Sequence, residues 1–228
     1  MSAKPVTPVL PDDPAKPISP GRPKDLGKRA AILDAAKQMF TQHGFDGASM
    51  DQIAAMAGVS KLTVYSHFGD KDALFGAAVK AHCDMQLPTT LFDPSPQTPL
   101  RERLLSIAAA FYAMVSSPEA IAGHRILCTP RMTSSPLPRM FWEAGPERVQ
   151  EAFSTLLRRR VAAGQLAIDD VPRAASQFFA LLKGEPHARM VFGCAEGCGV
   201  EDANAASARS DRHIAASVDM FLRAYAAR

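Results

Sequence analysis

Ser49-Met50-Asp51-Gln52-Ile53-Ala54, then Ala57-Gly58-Val59-Ser60-Lys61-Leu62-Thr63-Val64-Tyr65-Ser66-His67-Phe68, is the stretch on which the reading of this chain turns. Ser49 can accept a hydrogen bond from the backbone of position 52 while Gln52 reaches back, a capping box that starts a helix at residue 50. That helix ends at Gly58, and Ser60 offers the next N-cap after only a tight turn. Two short helices joined by a Gly-containing turn, the second poor in acids and rich in Lys, Thr, Tyr, Ser and His, form the pattern of a helix-turn-helix. Ile53, Ala57, Val59, Val64 and Phe68 can hold the pair together. Lys61, Leu62, Thr63, Tyr65, Ser66 and His67 are left on faces that could meet a duplex.

Upstream, from Lys28, apolar residues recur at the helical period, with Ile32, Ala36, Met39, Phe40 and His43 in one stripe. Gly44 is expected to stop this helix in the left-handed conformation, with Phe45 folding back onto Phe40. Downstream, Asp70 caps a fourth helix opened by Lys71-Asp72-Ala73-Leu74-Phe75, expected to run to about Asp84. Residues 85–99 carry Pro88, Pro94, Pro96 and Pro99 and read as a connector. The remainder to Arg228 reads as further helices, broken at Ser117-Pro118, Pro136 to Pro138, Gly145-Pro146, Gly164, Pro172 and Gly193 to Gly199. No period-two alternation bounded by hairpin turns occurs, so the fold expected is all-α.

Residues 1–23 are of a different kind. Pro5, Pro8, Pro11, Pro14, Pro17, Pro20 and Pro23 recur every third position, which stacks the rings on one face of a polyproline II helix; Gly does not share the period, so collagen is excluded. The expected organisation is a Pro-rich leader over 1–23, a DNA-binding head over 24–75 and a larger helical body over 76–228.

Composition narrows the function classes. The 228 residues are 47% hydrophobic and 21% charged, as in a globular protein with a sizeable core. The longest uncharged run, Leu104 to Pro118, is too short and too rich in Ser to span a membrane, and the early Pro residues break any secretory signal. A cytoplasmic location with no membrane partner is therefore expected. A net charge of +3 neither proves nor excludes a polyanionic partner. Four Cys, Cys83, Cys128, Cys194 and Cys198, are too few for a disulfide scaffold and lack two-pair zinc spacing. No G-x-S-x-G, G-x-x-x-x-G-K-[ST] or H-E-x-x-H motif is present, so neither an enzyme nor a cofactor or metal is expected.

The stretch Ala30 to Phe75, above all the residues quoted first together with Lys71-Asp72-Ala73-Leu74-Phe75, resembles the DNA-binding domain of the Tet repressor (TetR) family. More softly, Phe141 to Arg148, Leu182-Lys183-Gly184-Glu185 and Val218 to Arg228 look like one subgroup of that family's C-terminal domains. The resemblance implies an all-helical homodimer that places its heads in consecutive major grooves of double-stranded operator DNA and binds a small effector in its body. Carried over by position, Ser49, Lys61, Thr63, Tyr65, His67 and Lys71 are contacts to DNA. Leu62 departs from the Gly, Pro or Ala usual in relatives, so its base preference cannot be copied from them. Arg22 and Lys24 resemble basic arms that reach into a minor groove, and a solvated linker end is the alternative.

For the effector, Phe111, Tyr112, Met114, Trp142, Phe178 and Phe179 are candidate pocket walls, with His124, Arg125 or His187 as polar anchors; plain core is the alternative for the aromatic residues. The final helix carries Ile214, Val218, Phe221, Leu222 and Tyr225 in a broad stripe, and Ala174 to Leu182, including Phe178 and Leu181, offers a second apolar face. By the resemblance these two helices pair with their copies across a two-fold axis. The function expected is a transcriptional regulator, a repressor released by a lipophilic or aromatic effector. Two rivals stay open: a redox or metal sensor acting through Cys194 and Cys198, which a thiol titration would expose, and a helical enzyme or carrier with a vestigial head, against which operator binding would count.

Overall fold

The computed structural model of the protein describes residues 25–92, 98–132, 134–194 and 203–227. Among these residues the fold is helical throughout, apart from an isolated bridge between Leu166 and Ala226 and short 3₁₀ turns at Thr89–Phe92 and Pro130–Met132. The all-α expectation holds. Arg22, Lys24 and the whole leader lie outside the described residues, as does Cys198.

Four helices build the head: α1 (Leu26–Gly47), α2 (Met50–Met56), α3 (Lys61–Phe68) and α4 (Lys71–Gln86). Each starts on a side-chain cap, from Asp25, Ser49, Ser60 and Asp70. The capping box is formed in full, Ser49 Oγ accepting from the Gln52 amide at 3.2 Å and Gln52 Oε1 accepting from the Ser49 amide at 3.0 Å. Such a cap satisfies amides that a short helix otherwise leaves open, which matters most where there is little else to hold seven residues helical. Ile32, Ala36 and Met39 of α1, Ile53 of α2, Val64 and Phe68 of α3 and Leu74 and Ala78 of α4 then bury one core.

The first helix ends differently from expectation. Gly44 does take a positive φ of 70°, but with an extended ψ of 175°, so the chain kinks and makes one more turn to Gly47. Phe45 nonetheless stacks on Phe40 at 5.7 Å, and both rings meet Phe75 edge-on. His43, placed in the apolar stripe by its offset, is exposed.

Helix α4 does not stop at the head's edge. Ala78 and Ala81 still pack in the head core, whereas Cys83 and Leu87 pack in the body's, so a boundary at residue 75 cuts through a continuous helix. The segment read as a connector is also part of the body, for Leu87 and Phe92 are buried there.

The body comprises α5 (Leu100–Val115), α6 (Pro118–Leu127), α7 (Leu137–Ala144), α8 (Pro146–Ala162), α9 (Val171–Phe192) and α10 (Ala203–Tyr225). Pro118, Pro146 and Pro172 sit in the first turns of their helices, where a missing amide costs nothing. Phe178 is at the centre, 4.6 Å from Phe153 and 5.1 Å from Phe221 between ring centroids.

One break was not expected. Inside α9, Gly184 has φ 48° and ψ −157°, and Pro186 follows two residues later. Pro186 has no amide to offer the Leu182 carbonyl, and His213 Nε2 donates to it instead at 2.9 Å. Helix α10 thus repairs the break in α9. No single described helix is long and apolar enough to cross a membrane.

Candidate functional site

The recognition side of the head is built on α3. Leu62 is 79% exposed and Tyr65 41%, the Lys61 ammonium lying 6.0 Å from the centre of the Tyr65 ring. Lys61 Nζ reaches Asp51 across the turn at 2.9 Å, an exposed ion pair that a phosphate could readily replace. Ser60 and Thr63 exchange a hydroxyl contact at 2.8 Å, and Ser66 Oγ donates to the Thr63 carbonyl. Ser49 is exposed but engaged in its cap. His67 is half-buried, with Nδ1 sealed from water and unpartnered. Arg29, not singled out from the sequence, lays its guanidinium over the Phe68 ring at 5.0 Å and so brings a cation from α1 to the end of α3. Only the packing of α1 against α3 reveals it.

Lys71, expected to contact DNA, makes contacts within the head. Its Nζ donates to the carbonyls of Phe45 and Ala48 at 3.0 and 3.2 Å and lies 4.4 Å from the centre of the Phe45 ring. The ammonium is spent on closing the kinked end of α1. Lys71→Ala should therefore lower the stability of the head by about 1 to 3 kcal/mol, the range for a charge-assisted bond, while leaving the salt dependence of DNA binding unchanged. Thermal melts beside a salt titration check this; a salt slope reduced by about one with no loss of stability would restore the phosphate contact.

Between head and body lies a cavity of about 670 Å³. Its body wall includes Phe111, Met114, His124, Trp142 and Phe179, five of the residues expected to line a pocket. Its head wall, which the sequence did not indicate, includes Lys37, Phe40 and Thr41 of α1 and Phe75, His82 and Met85 of α4. Four expected residues are elsewhere. Tyr112 is buried in the body core beside His213, and Phe178 is fully buried among aromatic rings. Arg125 donates from Nε and Nη2 to the Val191 and Met190 carbonyls, both at 2.7 Å, capping the end of α9. His187 stands behind the wall, its ring edge-on to His124 at 5.1 Å.

Burial lowers the pKa of His82 in the cavity wall, the charge of Lys37 adding to that effect and Glu119 opposing it. Burial likewise holds His124 below the usual imidazole range, against the pull of the Ala120 carbonyl, to which Nδ1 donates at 2.8 Å. His187 is pushed down to about 4 by burial, helped by the neighbouring charges of His124 and Lys183. Burial also lowers the pKa of Lys183, which lines the same cavity, and raises the Cys83 thiol to about 11. That thiol is an inert wall group. Among the described residues no group of His, Cys, Asp and Glu could hold a metal ion; Cys194 is exposed.

The expected dimer face also needs correction. Phe178, Ile214, Val218 and Phe221 are each at most 7% exposed within the single chain and have no surface left to bury against a partner. Leu181, Leu222 and Tyr225 are only partly covered, and Tyr225 Oη shares a hydrogen bond with Gln177 of α9. The outward side of the pair instead carries Ala180 and Gly184 of α9 and Ala216, Met220 and Ala224 of α10, with Met220 52% exposed.

A family model described as bacterial regulatory proteins, tetR family, matches residues 32–78, and one described as the C-terminal domain of AefR-like transcriptional repressors matches residues 102–227. The chain belongs to the TetR family of transcriptional regulators. It is similar to the solved structure of the flavonoid-responsive regulator FrrA, at 31% identity and a TM-score of 0.66, covering 90% of this chain and all of that one. RutR of Escherichia coli K12 is 31% identical over 145 residues, 61% of this chain and 65% of RutR. The transcriptional activator FasR of Mycolicibacterium smegmatis is 34% identical over 88 residues, 39% of this chain and 40% of FasR. The chain thus spans between two fifths and two thirds of the length of these two curated relatives.

Proposed function

We propose that this TetR-family chain binds operator DNA as a homodimer in the cytoplasm, as a repressor, and releases it when a small lipophilic or aromatic molecule enters the cavity between head and body. The observation that carries this reading is the composition of the cavity walls: α1 and α4 of the head on one side and α5 to α9 of the body on the other. A molecule there touches both parts whose relative placement sets the spacing of two recognition helices. FrrA is flavonoid-responsive by name, which favours a flat aromatic effector. The work is binding rather than catalysis.

Phosphate contacts set affinity and register, and a few side chains of α3 choose bases. Lys61, His67 and Arg29 supply the first kind; Leu62, Thr63 and Tyr65 supply the second. Two copies related by a two-fold axis reach half-sites about 34 to 36 Å apart. An effector needs a coupling of only about 1 to 3 kcal/mol to weaken operator binding roughly 5- to 150-fold, and operator must weaken the effector by the same factor.

The test begins with selection of duplexes from a random pool by the full chain. A two-fold-related sequence should emerge. Lys61→Ala should weaken binding to that operator and to unrelated duplexes alike and reduce the salt slope by about one, whereas Leu62→Ala should change which bases are selected. Failure to enrich any sequence, or an unchanged salt slope for Lys61→Ala, would count against the reading.

A further inference from the structure

The wall of the cavity holds a cation with no counter-ion among the described residues. Lys183 lies on α9 one residue before the Gly184 break, half-buried, and lines the cavity. No described residue forms a hydrogen bond or an ion pair with its ammonium, whereas Lys28, Lys61 and Lys80 each have an aspartate. Loss of water lowers its pKa, with no acid among the described residues to offset it. A half-buried ammonium in an apolar cavity without a partner is costly, and a chain that keeps one there gains from whatever neutralises it.

The neighbours limit what that can be. His124 and His187 both stand close enough to Lys183 to feel its charge, and burial keeps both imidazoles below their ordinary range. The cluster of Lys183, His124 and His187 therefore carries about one positive charge, not three. Nδ1 of His124 is committed to the Ala120 carbonyl. Beside His82, Lys37 and Glu119 bring charges of opposite sign to the same cavity. The apolar part of the lining includes Phe111, Met114, Phe141, Trp142 and Phe179.

We infer that the effector is an organic carboxylate, an apolar or aromatic body with a single acid group that pairs with Lys183. This assignment rests on the cavity being the effector site. Selectivity follows from the cost of the alternative: an isosteric alcohol fills the same apolar space but leaves the ammonium without its counter-charge, so an acid should be preferred by at least about tenfold.

Trp142 is the protein's single tryptophan and lines the cavity, so its emission reports binding there. The probes are pyrenebutyrate and pyrenebutanol, which share a body and differ in the acid group, titrated into the full chain at pH 7.5. The wild type should bind the acid at least about tenfold more tightly than the alcohol. Lys183→Met should abolish the difference while changing the alcohol's affinity less than about twofold, and Lys183→Arg should keep most of it. Thermal melts confirm that each variant is folded. Equal binding of acid and alcohol by the wild type, or an equal loss of both in Lys183→Met, overturns the carboxylate assignment and leaves the effector cavity standing. Binding of neither probe removes the cavity reading and the carboxylate with it.

Discussion

Met220→Arg should leave the chain folded and monomeric, with operator affinity reduced about 100-fold or more. Met220 is 52% exposed on the outward side of α10, beside the small side chains Ala216 and Ala224 and opposite Ala180 and Gly184 of α9. Small side chains let helix backbones approach closely, and an exposed Met among them gives a partner copy an apolar knob to cover. An Arg there puts a charge near the two-fold axis, where it meets its own copy. Loss of the second head removes the gain from joining two half-sites, which is worth on the order of 10² to 10⁴ in affinity. Val218→Arg, two residues away, should behave quite differently. Val218 is fully buried between α10 and the rest of the body, so an Arg at that position should unfold the protein rather than split a dimer. Sedimentation and circular dichroism on both variants separate these outcomes; a dimeric Met220→Arg protein with full operator affinity would place the interface elsewhere.

Phe178→Ala should cost about 3 to 5 kcal/mol and lower the melting temperature by roughly 10 °C. Phe178 is fully buried, stacked on Phe153 and edge-on to Phe179 and Phe221, so its removal leaves a void bounded by three other rings and by helices on either side. Rings that large cannot collapse into the space without breaking their own contacts, which puts the cost toward the upper part of the range for lost aromatic side chains. The cavity wall facing Phe111 and Phe179 should loosen with it, because Phe179 is the next residue on the same helix and packs on Phe111 at 4.5 Å. Calorimetry checks the figure, and a fall of less than about 3 °C would show that Phe178 is not the centre of the body.

The head was almost wholly legible. Ser49, Gln52, Ser60 and Asp70 act on amides two or three residues away, and Phe40 with Phe45 on each other, so their effects are written in short stretches of chain. Where a local rule met a distant partner it was incomplete. Gly44 has the expected sign of φ, but the turn after it is held by Lys71 from the start of α4, a contact that no local rule indicates. Arg29 was passed over for the complementary reason, since its place over Phe68 depends on how α1 crosses α3.

In the body, periodicity identified helices and apolar stripes without saying which stripe faces which neighbour. Ile214, Val218 and Phe221 form a stripe that can be buried by a partner or by the chain itself; the tertiary packing shows that the chain buries it, and the side left exposed is the one with small residues that no hydrophobic pattern singles out. Phe111, Phe178 and Phe179 are alike as sequence, yet Phe178 turns into the core and the other two reach the cavity, a difference of one helical position. By itself the sequence determined the all-α class, the helix-turn-helix with its caps and the family to which the chain belongs, because hydrogen bonds and turns of that kind close over a few residues. Only the tertiary structure decided that α4 serves two cores, that the cavity has a head wall, that α10 supplies the hydrogen bond α9 loses at Pro186, and that Lys183 faces the cavity without a partner. Each of those depends on side chains far apart in the chain, brought together by packing that no short window contains.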